Sequence, residues 1–174
     1  MEIKEGAKLK GKFEIEIRDE NGNLISKSEC HNILTTEGLN SLLNIMLHAA
    51  TQIATWYCVM FEGNTTPAAG DTYAVPNWTE YQTYDETVRP AYVEAESTAK
   101  STTNSANKAV FTANATKTLY GAALVGGGSA PATKANTAGG GTLLCIGTFG
   151  TAQPVIATNV VNLTYTVTSA DDGA

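Results

Sequence analysis

The sequence predicts a mainly β protein: an antiparallel sandwich or jelly-roll-like domain with one short amphipathic helix. Several segments alternate between apolar and polar residues, as half-buried strands do. Turns rich in Gly, Pro and Asn separate these threonine-rich segments, and a single early segment has helical periodicity instead. Strands that follow one another without intervening helices are typical of sandwiches and barrels rather than of parallel sheets.

The chain opens with a predicted β-hairpin. Over residues 9–17, apolar residues fall on one face of a strand and charged residues on the other. The dipeptide Asn21-Gly22, the strongest short hairpin signal, follows this strand. We expect the return strand near residues 24–29, and an N-terminal arm over residues 1–8. The apolar face consists of Leu9, Phe13, Ile15 and Ile17.

Residues 36–50 form the predicted helix. Apolar residues recur there at spacings of three and four, which places them in one stripe. Thr35 or Thr36 can cap its N-terminus, and Glu37 is favourable in the first turn beside the helix dipole. We expect the stripe to face the core, Met46 included. Its members are Leu39, Leu42, Leu43, Met46, Leu47 and Ala50.

The rest of the chain is predicted to complete a single domain over residues 1–174. A buried strand is expected at 56–61, where the sequence reads WYCVMF, followed by a long aromatic connection at 63–105. A connection of that length must contain short strands or be ordered by a neighbouring subunit. Further strands are expected at 108–112, 118–125, 142–149 and 160–168, with a Gly-rich loop at 126–141 and a polar tail at 169–174.

The segment from Tyr73 to Tyr92 is a candidate interaction site. It contains five of the 13 aromatic residues of the chain and one of its two arginines. Tyr, Trp and Arg are enriched at binding surfaces, and aromatic rings supply contact area at low entropic cost. The alternative is that the rings pin the loop to the chain's own core. We favour contact with a neighbouring subunit, made by Tyr73, Trp78, Tyr81, Tyr84, Arg89 and Tyr92.

Composition argues against several functional classes. The net charge of −6 lacks the basic footprint of nucleic-acid binding, so no nucleic-acid partner is expected. The three cysteines lie far apart without CxxC spacing, which predicts neither a disulfide framework nor a zinc site and indicates folding in a reducing cytoplasm. The N-terminus lacks the apolar core of a signal peptide, and no apolar run approaches the roughly 18 residues that span a bilayer. No membrane partner is therefore expected.

The sequence is poor in catalytic residues, so we predict no enzymatic activity, no metal and no cofactor. Cys30 and His31 are adjacent, but successive strand residues point to opposite faces. The acidic residues of the aromatic segment carry no mark of a positioned glycosidase pair. Arg89 is expected to pair with Asp85 or Glu86, because a guanidinium clamps a carboxylate with two bonds. Neither Gly-rich run has the spacing of a phosphate-binding loop.

A series of segments follows a distinctive order over roughly residues 28–168. An asparagine-led strand precedes TxxGLN, a Leu-rich helix and a Trp-containing strand in NILTTEGLNSLLNIMLHAATQIATWYCVMFEGN. The series continues with AAGDTYA, WTEYQTYDETVRPAYVEA, STTNSANKAVFTANATKTLYGAAL, a Gly-rich loop, LLCIGTF and NLTYTV. This order resembles that of small structural proteins of tailed-bacteriophage virions.

The resemblance implies a non-enzymatic virion component, most like a capsid decoration (cement) protein that binds and stabilises the outer face of the major capsid shell. Its expected partners are the major capsid protein and further copies of itself, with a trimer favoured. Its expected location is the outer capsid surface, after assembly in the host cytoplasm. A tail, collar or head-fibre component is the alternative within the virion. A carbohydrate-binding module with Trp78, Tyr81 and Tyr84 as a stacking platform is the alternative of another class.

Overall fold

A computed structural model describes residues 7–171, which form two antiparallel sheets and one helix. The predicted antiparallel sandwich with one short helix is confirmed, with 47% of residues in strands and 7% in the helix. In chain order the elements are β1 (Ala7–Arg18), β2 (Leu24–His31), β3 (Ile33–Leu34), α1 (Thr36–Leu47), β4 (Trp56–Glu62), β5 (Thr79–Glu80), β6 (Ala91–Tyr92), β7 (Ser101–Thr103), β8 (Ala109–Thr112), β9 (Lys117–Gly126), β10 (Thr142–Val155) and β11 (Val160–Asp171).

The first sheet brings the beginning and the end of the described chain together. Its order is β2–β1–β11–β7, and β8 also pairs with β11. β1 and β11 pair along their full length, from Ala7 opposite Asp171 to Arg18 opposite Val160. The second sheet has the order β3–β10–β9–β4–β5, and β6 also pairs with β4.

The hairpin of β1 and β2 confirms the first sequence prediction. Phe13, Ile15 and Ile17 are fully buried, and the charged side chains between them form an ion-pair network on the opposite face. The turn contains Gly22 with φ of 83°, a left-handed conformation that suits glycine. Leu9 was predicted to join the buried set but is 41% exposed near the start of the strand.

The second sheet is buried on both faces. Along β4, Cys58 and Met60 join the core that contains side chains from both sheets, whereas Val59 and Phe61 join a separate cluster. Because successive strand residues point to opposite faces, these two clusters lie on opposite sides of the sheet. A strand covered on both sides reads as a continuous apolar run, which accounts for the predicted and confirmed strand WYCVMF.

The helix α1 is fastened at its N-terminal end. The Thr35 side chain caps it by accepting a 2.9 Å hydrogen bond from the Gly38 backbone N–H, and the Thr35 hydroxyl donates to the Leu143 carbonyl. The Glu37 carboxylate accepts from the backbone N–H groups of Tyr73 and Leu143, at 2.9 and 2.7 Å. The predicted cap at Thr35 and the predicted first-turn acid are therefore both confirmed, and both join the helix to its neighbours.

Several predicted boundaries shift in the structure. The connection over 63–105 contains the short strands β5, β6 and β7, as its length required. The strand predicted to end at 149 continues to Val155 with an irregular register, and β11 continues into the predicted polar tail as far as Asp171. The loop predicted at 126–141 contains no helix and no strand beyond Gly126. Residues 1–6 of the predicted arm and 172–174 of the predicted tail lie outside the described residues.

Candidate interaction surface

Most of the aromatic residues predicted to contact a partner lie inside the protein. For five of the six residues, the structure shows the alternative interpretation, in which the side chains pack inside the chain's own fold. Contact of these five side chains with a neighbouring subunit is therefore not supported. Only Trp78 keeps part of its ring exposed. The buried side chains are those of Tyr73, Tyr81, Tyr84, Arg89 and Tyr92.

The three tyrosines in the core between the sheets pack ring against ring. Tyr84 lies between Tyr81, with ring centroids 5.5 Å apart, and Phe111, with centroids 5.0 Å apart. Tyr92 meets Tyr165 edge to face at 5.8 Å, and its hydroxyl donates to the Tyr165 carbonyl at 3.3 Å. Burial raises the pKa of Tyr81 to about 12. Such geometry is that of structural aromatics, since aromatic pairs stabilise a core beyond the area they bury.

The guanidinium of Arg89 holds the aromatic segment together. Its Nε and Nη2 donate to the two carboxylate oxygens of Glu80 at 2.9 and 2.6 Å. The prediction that Arg89 pairs with Asp85 or Glu86 is wrong, because both acids have other donors. Glu86 accepts from the Thr112 backbone N–H and hydroxyl, and Asp85 from the Asn114 amide.

Arg89 also fixes the Gly-rich loop. Its Nη1 donates to the Pro131 carbonyl at 2.8 Å and its Nη2 to the Asn136 carbonyl at 3.2 Å. On the same loop, Lys134 places its Nζ 3.5 Å from the centroid of the Tyr84 ring and donates to the Tyr84 carbonyl at 2.7 Å. Arg89 and Lys134 therefore hold in place a loop whose composition predicts flexibility.

An uncovered apolar face lies on α1 instead. The face begins at Leu39 and continues four, seven and eight residues later with Leu43, Met46 and Leu47. This spacing places the four side chains on one side of a helix. They are 42–79% exposed. The prediction that the whole stripe, Met46 included, faces the core is therefore wrong. Leu42 is the member that packs against the core cluster. We call the four exposed residues the α1 face.

The α1 face lies in a long uncharged part of the chain. No Asp, Glu, Lys or Arg occurs between Gly38 and Phe61. After Gly38, the polar residues of the helix are Asn40, Ser41 and Asn44, all neutral. A helix that faces water ordinarily carries charge on its outer side. The absence of charge is therefore a sequence signal for this face that helical spacing by itself does not contain.

Cys30 and His31, adjacent in the sequence, do not face one another in the structure. Cys30 is buried and His31 is exposed, so they point to opposite faces as the strand alternation predicts. Burial raises the pKa of the Cys30 and Cys145 thiols to about 12, so both thiols are protonated at neutral pH. Over residues 7–171, no cluster of three or more His, Cys, Asp or Glu side chains suits a metal ion. In the same range, no helix has the length and apolarity to cross a bilayer.

Neither the scan against family models nor the search of curated proteins finds a match. The chain's own surfaces are therefore the basis for inferring its function.

Proposed function

We propose that the chain is a non-enzymatic structural protein of a tailed-bacteriophage virion, a decoration protein that binds the outer face of the capsid shell. The observation that carries the proposal is the α1 face, which presents four apolar side chains to solvent. Apolar surface of this kind, when contiguous, is typical of a protein interaction site. The ordered segments that resemble those of small virion proteins supply the class of partner.

The chemistry of the α1 face suits a stable contact with a protein. Fully burying a Leu or Met side chain stabilises by about 1.5–3 kcal/mol, so four partly exposed ones contribute several kcal/mol together. No charged side chain of the helix beyond Glu37 must lose water, because residues 38–61 contain no Asp, Glu, Lys or Arg. Thr35, Glu37 and Gly38 fix the start of the helix, which lowers the entropy lost when the face is covered.

A repetitive shell strengthens such a contact. Many identical sites on one lattice allow an oligomer of the chain to bind several at once, so each contact need supply only part of the affinity. We assign the α1 face to the major capsid protein, and we expect the chain to form a homo-oligomer, with a trimer favoured. A tail, collar or head-fibre component is the remaining virion alternative.

The test is binding of the purified chain to shells that lack it. Cosedimentation should show stoichiometric binding at hundreds of copies per shell, and bound shells should resist heat better than bare ones. Leu43→Glu should lower the affinity at least tenfold, because a buried carboxylate would face apolar surface. Ile156→Glu is the matched control, since Leu43 and Ile156 are both 56% exposed but Leu43 lies on α1 and Ile156 lies in the turn between β10 and β11.

The outcomes separate the alternatives. Failure of the folded wild-type chain to bind shells, or equal binding by both variants, contradicts the proposal. Tens of copies per virion, rather than hundreds, would favour a collar or fibre. Sizing by light scattering tells a monomer from a trimer.

A further inference from the structure

A second candidate binding site lies beneath the aromatic segment, away from the α1 face. It is a cavity of about 260 Å³ between the segment 73–92 and the Gly-rich loop. Trp78, Gln82 and Ala135 are at least partly exposed at this cavity, so it communicates with solvent. Its polar lining includes Thr79, Glu80 and Thr137.

Trp78 provides an aromatic wall. Its ring packs against Phe61, with centroids 5.8 Å apart, and against the cluster on the outer side of the second sheet. These contacts hold the ring in place while part of it stays open to solvent. A fixed, partly exposed indole is suited to stack on the C–H face of a pyranose ring, whose carbon-bound hydrogens form an apolar patch. Tyr81 and Tyr84, predicted to extend such a platform, are buried in the core and take no part.

Polar groups at the cavity retain free hydrogen-bonding capacity. Within residues 7–171, the Gln82 amide and the Thr79 and Thr137 hydroxyls make no side-chain hydrogen bond, and Gln82 accepts from Lys134 through its backbone carbonyl. The Glu80 carboxylate accepts from Arg89 Nε, Arg89 Nη2 and the Ala135 N–H. A carboxylate offers about four acceptor positions, so about one remains for a ligand hydroxyl.

Charge and size restrict the ligand class. The Glu80 charge is offset by Arg89, and Lys134 is already bound to carbonyls of the aromatic segment, so neither cation is available to an anionic ligand. The net charge of −6 also disfavours sialic acids, uronic acids and nucleotides. Sites for drug-sized ligands measure about 300–1,000 Å³, so this smaller cavity suits a single ring.

We infer that this cavity binds one neutral pyranose unit of a glycan, stacked on Trp78 and hydrogen-bonded by Gln82 and Glu80. The inference is independent of capsid binding, because the residues that form the cavity are not those of the α1 face.

The experiment uses the full chain and a panel of methyl glycosides of glucose, galactose, mannose, N-acetylglucosamine and N-acetylgalactosamine. Saturation-transfer NMR and tryptophan fluorescence should show saturable binding of at least one of them. Trp78→Ala should lower the affinity at least tenfold and Gln82→Ala at least threefold. Trp78→Phe keeps an aromatic ring packed on Phe61 and replaces the alanine variant in the experiment if that variant does not fold. Trp78→Phe should lower the affinity at least twofold.

Two controls match these variants. Trp56→Phe and Gln52→Ala change residues of the same types that do not line the cavity, and both should bind as the wild type does. Methyl glucuronide should bind more weakly than methyl glucoside. The inference is overturned if no neutral glycoside binds the folded chain, if Trp78→Phe and Gln82→Ala both bind like the controls, or if the glucuronide binds more tightly.

Discussion

Arg89 and Glu80 form a two-bonded ion pair inside the protein. The side chain of Arg89 is 3% exposed and that of Glu80 is 9% exposed. Burial lowers the pKa of the guanidinium, but the hydrogen bonds and charge of Glu80 more than offset this, so the pKa of Arg89 is raised overall. The pair lies where the aromatic segment meets the Gly-rich loop, and the stability of both depends on it.

Replacing Arg89 with Met should destabilise the protein strongly. The substitution leaves the Glu80 carboxylate buried without its partner and removes the donors to the Pro131 and Asn136 carbonyls. Breaking one side of a buried pair costs about 3–5 kcal/mol. Urea denaturation should show a loss of this size.

Lys117→Met is the matched control for this measurement. Lys117 pairs with Glu62 at 2.8 Å, but their side chains are 36% and 22% exposed. Exposed pairs contribute about 0–1 kcal/mol. Equal losses in the two variants would show that the Arg89 pair is no more important than a surface one.

Gly38→Ala should destabilise the chain, although alanine is the better helix former. A methyl group at Gly38 would overlap the Leu144 backbone carbonyl, with no flexible side chain to move aside. At an exposed helix position, replacing glycine with alanine stabilises the protein by about 1 kcal/mol. A loss of stability in Gly38→Ala would therefore be opposite in sign to the effect of helix propensity.

Asn40→Ala controls for helix propensity at an exposed position of the same helix. Thermal melts should show a higher midpoint for Asn40→Ala and a lower one for Gly38→Ala. A rise in both would mean that the helix has room to shift away from β10.

The hairpin and the closing strand were predictable because their signals are local. Alternation along β1 predicts the burial of Phe13, Ile15 and Ile17, although not the exposure of Leu9 near the start of the strand. Asn21-Gly22 specifies the turn that returns the chain. The same alternation predicts Val161, Leu163, Tyr165 and Val167 on one face of β11. The first three are fully buried, and Val167 packs partly buried against the core.

The partner of Arg89 and the orientation of α1 were not predictable in this way. Asp85 and Glu86 are closer to Arg89 in sequence, yet Glu80 is the partner because β5 pairs with β4 and fixes Glu80 opposite Phe61. Helical spacing likewise shows which residues share a face but not what that face contacts. The core is occupied by side chains from the two sheets, and of the predicted stripe Leu42 is the residue that packs against it.

Polar substitution on the α1 face should leave the isolated chain stable. Leu47→Gln changes a side chain that is 79% exposed, so the free energy of unfolding should change by no more than about 0.5 kcal/mol. Leu42→Gln places an amide against the core cluster and should cost about 1–3 kcal/mol. Chemical denaturation of both variants measures the difference. A large loss for Leu47→Gln would indicate that the face is already covered within the folded chain or its oligomer.

Stability should fall at alkaline pH because the cysteine thiols are buried. Burial raises the pKa of Cys30 and Cys145 from 9.0 to about 12, and it raises that of Cys58 as well. Below pH 9 the thiols are protonated in both the folded and the unfolded chain. From pH 9 to about 12 they ionise only in the unfolded chain, which therefore becomes more stable. Each thiol then removes up to about 1.4 kcal/mol of folding free energy per pH unit.

The measurement is the free energy of unfolding between pH 7 and 11, with a reductant present. Cys30→Ala should shift the stability at pH 7 but reduce the slope above pH 9 by the contribution of one thiol. Buried tyrosines such as Tyr81, whose pKa rises from 10.0 to about 12, add to the slope above pH 10 in both proteins and cancel in the comparison. A wild-type curve that is flat from pH 9 to 11, or identical slopes for the two proteins, would show that the folded thiols ionise as readily as the unfolded ones.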